Sequence, residues 1–491
     1  MTEPLRSLGA VGDVLRSAGL LVEVQGPGDV AVSGVAQDSR TVKPGDLFLA
    51  WRGTAHDGHD YVGEALARGA VACIVEHPVE VDLPQVVVSD GRSAAALTAA
   101  GVMGFPSRAL RSVAITGTNG KTTTALLTRG ILEARMRSAT IGTLGVVDER
   151  GVRPGSEALT TPGPVALAGW LRGLVNEGFE AVVLEASSHA LEQRRLDGMT
   201  FDVAVFTNLS LDHLDYHGDL EAYRAAKVHL VDLVAPAGTV ALNRGDRAWD
   251  GVQVGARRLV TFGLRDGTEV GTDSLELGPA GSSFVLRIGS DHRPVRFPLL
   301  GSYNVENALA AAAAAAALGL SIDQIVSGLE RAQQVPGRLE VVRSAPFGVL
   351  IDFAHTPAAL DGMLEAVRPL VEGRLIVLFG AGGDRDRSKR RGMAETVARH
   401  ADLIVLTSDN PRTEHPDKIL DDLEEGLGDS LYERIADRGA AIHRALELAR
   451  PGDMVVLAGK GHETYQVVGT EKRPFDERVV VREALRELGV A

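Results

Sequence analysis

The most constraining feature of the sequence is a glycine-containing turn between a short apolar run and a helix-like segment. Residues 113–115 are apolar, residues 117–124 read Gly-Thr-Asn-Gly-Lys-Thr-Thr-Thr, and residues 125–127 read Ala-Leu-Leu. A strand followed by such a turn and a helix can direct backbone N–H groups and the positive end of the helix dipole at a polyphosphate. Lys121 can reach the outer phosphates, and Thr122 can place its hydroxyl on Mg²⁺. The segment therefore predicts a nucleoside triphosphate site.

The spacing of the glycines departs from the usual phosphate-loop pattern. That pattern has a glycine five positions before the second glycine, where this chain has Ile115. Here Gly117 lies only three positions before Gly120. Taken alone, the segment is also compatible with a glycine turn that starts a threonine-capped helix. The order of strand, turn, lysine and threonine favours the phosphate site.

Length, charge and apolar content limit the other possibilities. A chain of 491 residues is expected to form about three domains, and its net charge of −14 argues against a nucleic-acid surface. Cys73 is the single cysteine and lies in an apolar stretch, so we expect it to be buried. The first residues lack the basic and apolar regions of a signal peptide, and the longest apolar tract, residues 308–320, is shorter than the ~18 residues of a membrane span. We therefore expect a monomeric cytoplasmic protein that binds neither nucleic acid nor a membrane.

Two breaks divide the chain into three predicted domains, which are residues 1–108, 109–336 and 337–491. The breaks are proline- and glycine-containing segments at 104–108 and 335–338. In the second and third domains, apolar strands alternate with helices, which indicates an α/β fold with parallel sheets covered on both faces. The strands are predicted at 113–116, 181–184, 203–207, 239–242, 349–353, 375–379, 403–407 and 454–457. The alanine-rich tract at 308–320 is predicted to be a core helix.

Polar residues follow the strands of the second domain, where the ligand sites of α/β proteins form. Glu185 ends a strand and is either a Mg²⁺ ligand or a charge that faces solvent. Residues 208–217 are rich in metal and phosphate ligands, although a polar loop with helix caps would have the same composition. By itself, Lys227 is compatible with a surface position.

The third domain carries a second set of polar residues after its strands. The segment Asp409-Asn410-Pro411-Arg412 is compatible with a turn, but an arginine on a strand-end loop also suits bidentate binding of a carboxylate. Residues 459–463 follow the next strand and could form one site with it. The charged run at 384–391 is compatible with a solvated surface.

Taken together, these segments resemble the Mur ligase family of peptidoglycan synthesis over nearly the whole chain. The shared motifs occur in the family's order at residues 117–123, 185–189, 208–217, 223–227, 303–308, 336–338 and 352–357. The short glycine turn is that family's own variant. The resemblance implies an α/β fold of three domains: an N-terminal UDP-binding domain, a central P-loop domain that binds ATP, and a C-terminal Rossmann-like domain that binds an amino acid.

Within the family, the chain is similar to members that add the third amino acid to UDP-N-acetylmuramoyl-L-alanyl-D-glutamate. The resemblance implies four sets of site residues and a catalytic group of Lys121, Glu185, His213 and Lys227. The UDP-sugar substrate is expected at Ser39, Thr160, Thr161, Ser187, Gln193 and Arg195. ATP is expected at Gly117, Thr118, Asn119, Gly120, Lys121, Thr122, Thr123, Asn304 and Arg338. Mg²⁺ is expected at Thr122, Glu185, His213 and Lys227, the last as a carbamate, and diaminopimelate is expected at Arg390, Asp409, Asn410, Pro411, Arg412, Gly459 and Glu463.

Arg412 indicates which amino acid is added. The segment 409–412 resembles the signature of members that use meso-2,6-diaminopimelate, whose second carboxylate lysine lacks. An arginine left unpaired in a desolvated pocket would penalise lysine. Lysine or ornithine as the added amino acid stays an alternative. Two further alternatives are a ligase similar to folylpolyglutamate synthase, which the N-terminal region 1–108 argues against, and a non-catalytic ATP-binding protein, which the intact catalytic group argues against.

Overall fold

The computed structural model describes residues 3–53, 56–156, 159–278 and 280–490 of the protein. In this part of the chain, three large sheets follow one another along the sequence. The strands of the N-terminal sheet are β1 (Leu21–Gln25), β2 (Gly34–Ala36), β3 (Asp46–Leu49), β4 (Ala72–Val75) and β5 (Gln85–Val88). The helices of this region are α1 (Leu8–Ser17), α2 (Val62–Ala67) and α3 (Gly91–Val102).

The N-terminal sheet has the strand order β1-β5-β4-β3-β2. All its pairs are parallel except β1 with β5. Cys73 lies in β4 with no exposed surface, which confirms that it is buried, and burial raises the pKa of its thiol to about 12. The thiol therefore stays protonated at neutral pH and acts as a small apolar side chain.

The central sheet has eleven strands in the order β16-β15-β14-β13-β12-β11-β6-β10-β7-β8-β9. The strands are β6 (Arg111–Thr116), β7 (Ser138–Gly142), β8 (Gly145–Asp148), β9 (Gly151–Val152), β10 (Ala181–Glu185), β11 (Phe201–Phe206), β12 (Val234–Asn243), β13 (Arg258–Phe262), β14 (Val270–Gly278), β15 (Gly281–Ile288) and β16 (Asp291–Phe297). The helices are α4 (Lys121–Leu132), α5 (Pro164–Asn176), α6 (Ser188–Glu192), α7 (Leu214–His217), α8 (Leu220–Val228), α9 (Ser302–Ala317) and α10 (Ile322–Glu330).

The position of β6 determines where this sheet can bind a ligand. β6 pairs in parallel with β10 on one side and with β11 on the other, so the strand order reverses at β6. A crevice forms outside the carboxyl ends of the strands at such a point.

The predicted alanine-rich helix is α9. Residues 308–315 of this helix are fully buried, and the small alanine side chains let α9 pack closely against α4.

The third sheet has the order β17-β18-β22-β19-β20-β21, and all its pairs are parallel except β17 with β18. Its strands, and those of a separate hairpin (β23 and β24), are β17 (Glu340–Arg343), β18 (Gly348–Asp352), β19 (Leu375–Phe379), β20 (Leu403–Leu406), β21 (Tyr432–Arg434), β22 (Met454–Ala458), β23 (Tyr465–Val468) and β24 (Glu471–Pro474). The helices are α11 (Pro357–Val367), α12 (Lys389–His400), α13 (Pro416–Glu424), α14 (Arg438–Leu448) and α15 (Glu477–Glu487).

Each strand predicted from the alternation of strands and helices is present, and the α/β fold is confirmed. The strands of the second and third sheets that are buried on both faces are rich in Val, Ile and Leu along their whole length, which is typical of parallel sheets. None of the helices in the described part of the chain has the length and apolar character that crossing a membrane requires.

Candidate active site

The phosphate loop joins β6 to α4 and is held open by two glycines. Gly120 has a φ of +84° and forms the N-cap of α4. Gly117 has a φ of +149°, and a Cβ there would lie 1.9 Å from Thr207 Oγ1 at the end of β11. The N–H of Asn119 donates to Asn208 Oδ1 at 2.8 Å, which ties the loop to the next strand end. Both positions therefore require glycine, and contacts within the protein fix the shape of the loop.

A cavity of about 560 Å³ lies above this loop, between the second and third sheets. Most of the predicted ATP and Mg²⁺ residues line it together. These are Thr118, Asn119, Gly120, Lys121, Thr122, Thr123, Glu185, His213 and Arg338. Thr160, which is predicted for the UDP-sugar substrate, and Asp352, Phe353 and His355 also line the cavity. Gly117, Asn304 and Lys227 are not among the lining residues.

Glu185 is the buried carboxylate on the floor of the cavity. Its Oε2 accepts hydrogen bonds from the hydroxyls of Thr122 at 2.9 Å and Thr143 at 3.0 Å, and its Oε1 accepts from the Thr143 N–H at 2.9 Å. No group of three or more His, Cys, Asp or Glu side chains suited to a metal occurs in the described ranges. Mg²⁺ usually takes only one or two carboxylates and completes its coordination with phosphate oxygens and waters. The adjacent carboxylate and hydroxyl of Glu185 and Thr122 fit that requirement.

His213 lines the cavity beside this pair. It adopts a left-handed backbone conformation, with a φ of +54°, at the start of α7, and its Nε2 lies 3.5 Å from Asp212 Oδ2. Non-glycine residues rarely adopt this conformation, and they do so most often at functional sites. Desolvation lowers the pKa of the imidazole to about 4, so His213 is neutral at pH 7 and can donate a lone pair to a metal.

Two lysines lie next to the loop. Lys121 is the first residue of α4, and its Nζ donates to the carbonyl oxygens of Gly117 at 2.9 Å and Thr118 at 2.8 Å. Lys227, in α8, is fully buried, donates to the Gly117 carbonyl oxygen at 2.8 Å and stacks over the Tyr223 ring at 4.5 Å. Burial lowers the pKa of Lys227 well below its usual value, and the charge of Lys121 lowers it further.

The guanidinium of Arg338 lines the cavity. Arg338 belongs to the C-terminal part of the chain, which contains the third sheet. It lies over the ring of Phe353 at 4.6 Å and forms no hydrogen bond or ion pair with the described residues. Asn304, in contrast, is enclosed: its Nδ2 donates to the Leu300 carbonyl oxygen, and its Oδ1 accepts from Asn307 Nδ2 at 3.1 Å. Asn307 is the residue that lines the cavity.

Four of the predicted UDP-sugar residues form one hydrogen-bonded network. Thr161 Oγ1 accepts from the Ser187 N–H at 3.0 Å and donates to the Glu185 carbonyl oxygen. Arg195 Nη1 donates to the Thr161 carbonyl oxygen at 2.9 Å, and its other nitrogens donate to Gln193 Oε1. The network therefore connects these residues to the strand end that carries Glu185.

The other two predicted UDP-sugar residues lie outside this network. Thr160 lines the cavity and shares a hydrogen bond with Thr143 at 3.2 Å. Ser39 lies in the N-terminal region and donates to Glu64 Oε2 at 2.9 Å. No hydrogen bond joins Ser39 to the other five residues within the described ranges.

The predicted amino-acid residues lie at the carboxyl edge of the third sheet, outside the lining of the cavity. Arg412 is half-buried, has a φ of +52° and donates from Nη1 to the Gly383 carbonyl oxygen at 2.7 Å. No carboxylate lies within ion-pair distance of it in the part of the chain that the structure describes. The hairpin β23–β24 fixes this loop, because the Arg412 N–H donates to the Val467 carbonyl oxygen and Gln466 Nε2 donates to the Asp409 carbonyl oxygen.

Glu463 belongs to a compact group with two buried partners. Its Oε2 accepts from Asn410 Nδ2 and from Lys460 Nζ, both at 2.9 Å, and Lys460 has no exposed surface. Gly459 lies against Asp409, the residue before Asn410, because a Cβ on Gly459 would lie 2.7 Å from Asp409 Oδ2. These contacts bring the segments 409–412 and 459–463 together, as the sequence predicts.

Arg390 has most of its hydrogen-bonding capacity already used. The side chain is only 1% exposed, and its guanidinium binds both carboxylate oxygens of Glu414 at 2.9 Å, Asp422 at 2.7 Å and the Gly382 carbonyl oxygen at 3.2 Å. This arrangement makes Arg390 a fixed support of the 382–383 turn, next to Arg412.

Comparison with known proteins identifies the family. Residues 31–114 match the Mur ligase family catalytic domain, residues 115–315 the Mur ligase middle domain, and residues 337–461 the Mur ligase glutamate ligase domain. A UDP-N-acetylmuramoyl-L-alanyl-D-glutamate--2,6-diaminopimelate ligase of Geobacillus kaustophilus is 42% identical over 94% of this chain and 96% of its own. The chain belongs to the Mur ligase family.

Two further relatives of this Mur ligase carry the same name. The enzyme of Geobacillus thermodenitrificans is 42% identical over 94% of this chain and 96% of its own. A solved structure of a UDP-N-acetylmuramoyl-L-alanyl-D-glutamate--2,6-diaminopimelate ligase is 33% identical, covers all of both chains and has a TM-score of 0.69. The similarity therefore extends through all three regions of the Mur ligase.

Several residues of the Mur ligase site were not predicted individually. Asn307 lies within the motif 303–308, and its Oδ1 would lie 2.3 Å from a Cβ on Gly120, so it packs directly on the phosphate loop. Asn208 and Lys460 also lie within recognised segments. Thr143, which donates two hydrogen bonds to Glu185, lies in no such segment, and an isolated threonine gives the sequence no signal.

Proposed function

We propose that this Mur ligase is the ATP-dependent amide ligase that joins meso-2,6-diaminopimelate to the D-glutamate γ-carboxylate of UDP-N-acetylmuramoyl-L-alanyl-D-glutamate. The named activity of relatives that are 42% identical supports this reaction. The observation that carries the choice of amino acid is Arg412, whose half-buried guanidinium has no carboxylate partner in the described ranges. The second carboxylate of diaminopimelate would supply that partner.

The first chemical step is transfer of a phosphoryl group to the substrate. A γ-carboxylate oxygen of D-glutamate bonds to the γ-phosphorus of ATP, the bond from that phosphorus to the β,γ-bridging oxygen breaks, and ADP leaves. The phosphate loop holds the phosphates, and Lys121 and Arg338 neutralise charge on them. Thr122, Glu185 and His213, with Lys227 as a carbamate, would hold Mg²⁺, which spreads the negative charge of the transferring group.

The second step forms the amide. The neutral amine of the amino acid bonds to the acyl carbon of the acyl phosphate, the bond from that carbon to the phosphate oxygen breaks, and the nitrogen gives its extra proton to the departing phosphate. Inorganic phosphate leaves. No side chain forms a covalent intermediate, so positioning and electrostatics provide most of the rate enhancement.

The amino-acid pocket in this proposal consists of Arg390, Asp409, Asn410, Pro411, Arg412, Gly459 and Glu463. Glu463 is the acceptor for the ammonium group of the amino acid, and Lys460 is added to the set as the group that orients Glu463 and Asn410 at 2.9 and 3.1 Å. These residues do not line the ATP cavity, and in this proposal a closure of the third domain toward the phosphate loop brings the amine to the acyl phosphate.

The UDP-sugar substrate is proposed to bind Ser39, Thr160, Thr161, Ser187, Gln193 and Arg195. The network from Arg195 through Thr161 to the backbone carbonyl oxygen of Glu185 supports this, because it links the substrate side of the site to the residue that carries the catalytic carboxylate. The domains of the proposal are residues 1–108 for the UDP-sugar, 109–336 for ATP and 337–491 for the amino acid. A cytoplasmic location and a monomeric state belong to the same proposal.

Phosphate release from ATP tests the proposed reaction. The purified protein is given UDP-N-acetylmuramoyl-L-alanyl-D-glutamate, Mg²⁺ and one amino acid at a time: meso-diaminopimelate, L-lysine or L-ornithine. Turnover with diaminopimelate alone is expected. Turnover with lysine or ornithine would support the ligase activity but overturn the role of Arg412. Absence of turnover with all three would favour a ligase for another acyl substrate or a non-catalytic ATP-binding protein.

A further inference from the structure

Two loops at the carboxyl edge of the third sheet carry most of the proposed amino-acid pocket. One loop follows β20 and contains Ser408 and Asp409, and the other leaves the end of β22 at Ala458 and Gly459. These two strands are not neighbours, because β19 lies between them. Strand pairing therefore does not set the spacing of the loops directly.

Arg438 connects the two loops. It is the first residue of α14, and its Nη1 donates to the Ser408 carbonyl oxygen at 3.1 Å while its Nη2 donates to the Ala458 carbonyl oxygen at 2.9 Å. Each acceptor belongs to the residue immediately before a proposed pocket residue, Asp409 or Gly459. The guanidinium thus forms a hydrogen-bonded bridge between the two loops.

Glu477 compensates the buried charge of Arg438. Its Oε1 accepts from Arg438 Nε at 2.8 Å and lies 2.7 Å from Nη2, and neither side chain has any exposed surface. Glu477 is the first residue of α15. A buried ion pair contributes little to stability compared with an apolar pair of similar size. A cation at the first position of a helix is also unfavourable because of the helix dipole.

Stability alone therefore gives a poor account of Arg438. A planar guanidinium offers donors at fixed angles, so it can bind two carbonyl oxygens and one carboxylate in a single geometry, whereas a lysine ammonium has no fixed fork. We propose that Arg438, held by Glu477, is a positioning residue that sets the spacing between Asp409 and Gly459 and so determines affinity for the amino-acid substrate. This inference rests on the proposed function, because it concerns the amino-acid pocket of that reaction.

A double variant separates positioning from stability. Arg438→Met with Glu477→Leu removes both buried charges and leaves the carbonyl oxygens of Ser408 and Ala458 without their donors. We expect this variant to retain a cooperative thermal transition. Its KM for meso-diaminopimelate should rise about 10- to 100-fold, because small errors in position have large effects on a reaction that depends on alignment. The KM values for ATP and the UDP-sugar substrate should stay within about twofold of wild type.

Arg438→Lys and a control at the opposite edge of the sheet complete the experiment. The lysine variant keeps the charge opposite Glu477 but can bind only part of the acceptor set, so an intermediate rise in the KM for diaminopimelate is expected. Arg374 pairs with Asp453 at 2.7 Å where β19 and β22 begin, and Arg374→Met should lower thermal stability without changing that KM.

The outcomes are distinct. A folded double variant with the wild-type KM for diaminopimelate would overturn the inference, and if the double variant does not fold, an unchanged KM in Arg438→Lys would overturn it instead. Failure of the proposed function would be seen separately, as a wild-type protein that turns over ATP with none of the three amino acids.

Discussion

Lys121 and Lys227 donate hydrogen bonds to the same acceptor, the carbonyl oxygen of Gly117, at 2.9 and 2.8 Å. Lys227 forms no ion pair in the described part of the chain, and only 1% of its surface is exposed. Burial and the neighbouring Lys121 lower the pKa of Lys227 well below its usual value. A neutral amine is the form that adds carbon dioxide to give a carbamate, and an acidified lysine next to the phosphate loop could in this way become an anion suited to Mg²⁺.

The first prediction is that Lys227 is carbamylated. Protein equilibrated with ¹³C-labelled bicarbonate should show a carbamate carbonyl signal in the ¹³C NMR spectrum, and Lys227→Arg should abolish it. The same variant should lower kcat on the order of 100-fold, because a charged group that assists the transferring phosphoryl group is lost. Lys472→Arg, at an exposed lysine of the hairpin, is the matched control. A wild-type spectrum without the signal, or one that Lys227→Arg leaves unchanged, would contradict the assignment.

The second prediction concerns Glu185. Glu185→Gln keeps the shape of the side chain but removes the negative charge from the floor of the cavity. We expect kcat to fall on the order of 100-fold and the Mg²⁺ concentration for half-maximal rate to rise, because a metal ligand is weakened. Phosphate release measured against Mg²⁺ concentration tests both effects. Glu180→Gln, at the exposed residue just before the same strand, is the control, and equal effects of the two substitutions would exclude a special role for Glu185.

The third prediction concerns selectivity at Arg412. Because Arg412 has a φ of +52°, Arg412→Gly removes the side chain without adding backbone strain. The ratio of kcat/KM for diaminopimelate to that for lysine should fall on the order of 100-fold, which corresponds to loss of a charge-assisted hydrogen bond. Arg385→Ala removes a nearby exposed arginine and serves as the control. If Arg412→Gly still prefers diaminopimelate as strongly as wild type does, another residue recognises the second carboxylate.

The sequence predicted the parts of the site that follow buried strands, and the reason is geometric. Within an alternation of strands and helices, a short apolar run such as residues 181–184 is predicted to be a buried strand, so the position of Glu185 at its end follows directly. The alanine-rich helix α9 was predicted for the same reason, because its composition fits only a closely packed core.

The contacts between distant segments could not be predicted. Lys227 is compatible with a surface position from its local sequence, yet it is buried because α8 packs its inner face toward the phosphate loop. Asn304 and Asn307 lie one helical turn apart in α9, and local sequence does not decide which of them faces the cavity. Arg438 gives no local signal either, since its partners lie 20 to 39 residues away along the chain.

The last prediction is a loss of stability in acid that depends on His462. Burial, followed by the charges of Arg338 and Arg478, lowers the pKa of its imidazole from 6.5 to about 3. Below pH 6.5 the unfolded chain binds a proton at this position and the folded protein does not, so the unfolded state becomes relatively more stable as the pH falls. The ring packs against Phe353 with their centroids 5.0 Å apart, which removes part of its surface from water.

This linkage can be measured by chemical unfolding between pH 7 and pH 4. His462→Gln removes the titrating group, and the free energy of unfolding should then decrease less steeply with falling pH, by up to about 1.4 kcal/mol per pH unit. Above pH 7 the two proteins should show parallel profiles, since His462 is neutral in both the folded and unfolded states. His56→Gln, at an exposed histidine, should keep the wild-type slope. Equal slopes for wild type and His462→Gln in the acid range would mean that the imidazole of His462 is protonated in the folded protein, and that the third region opens to water at this point.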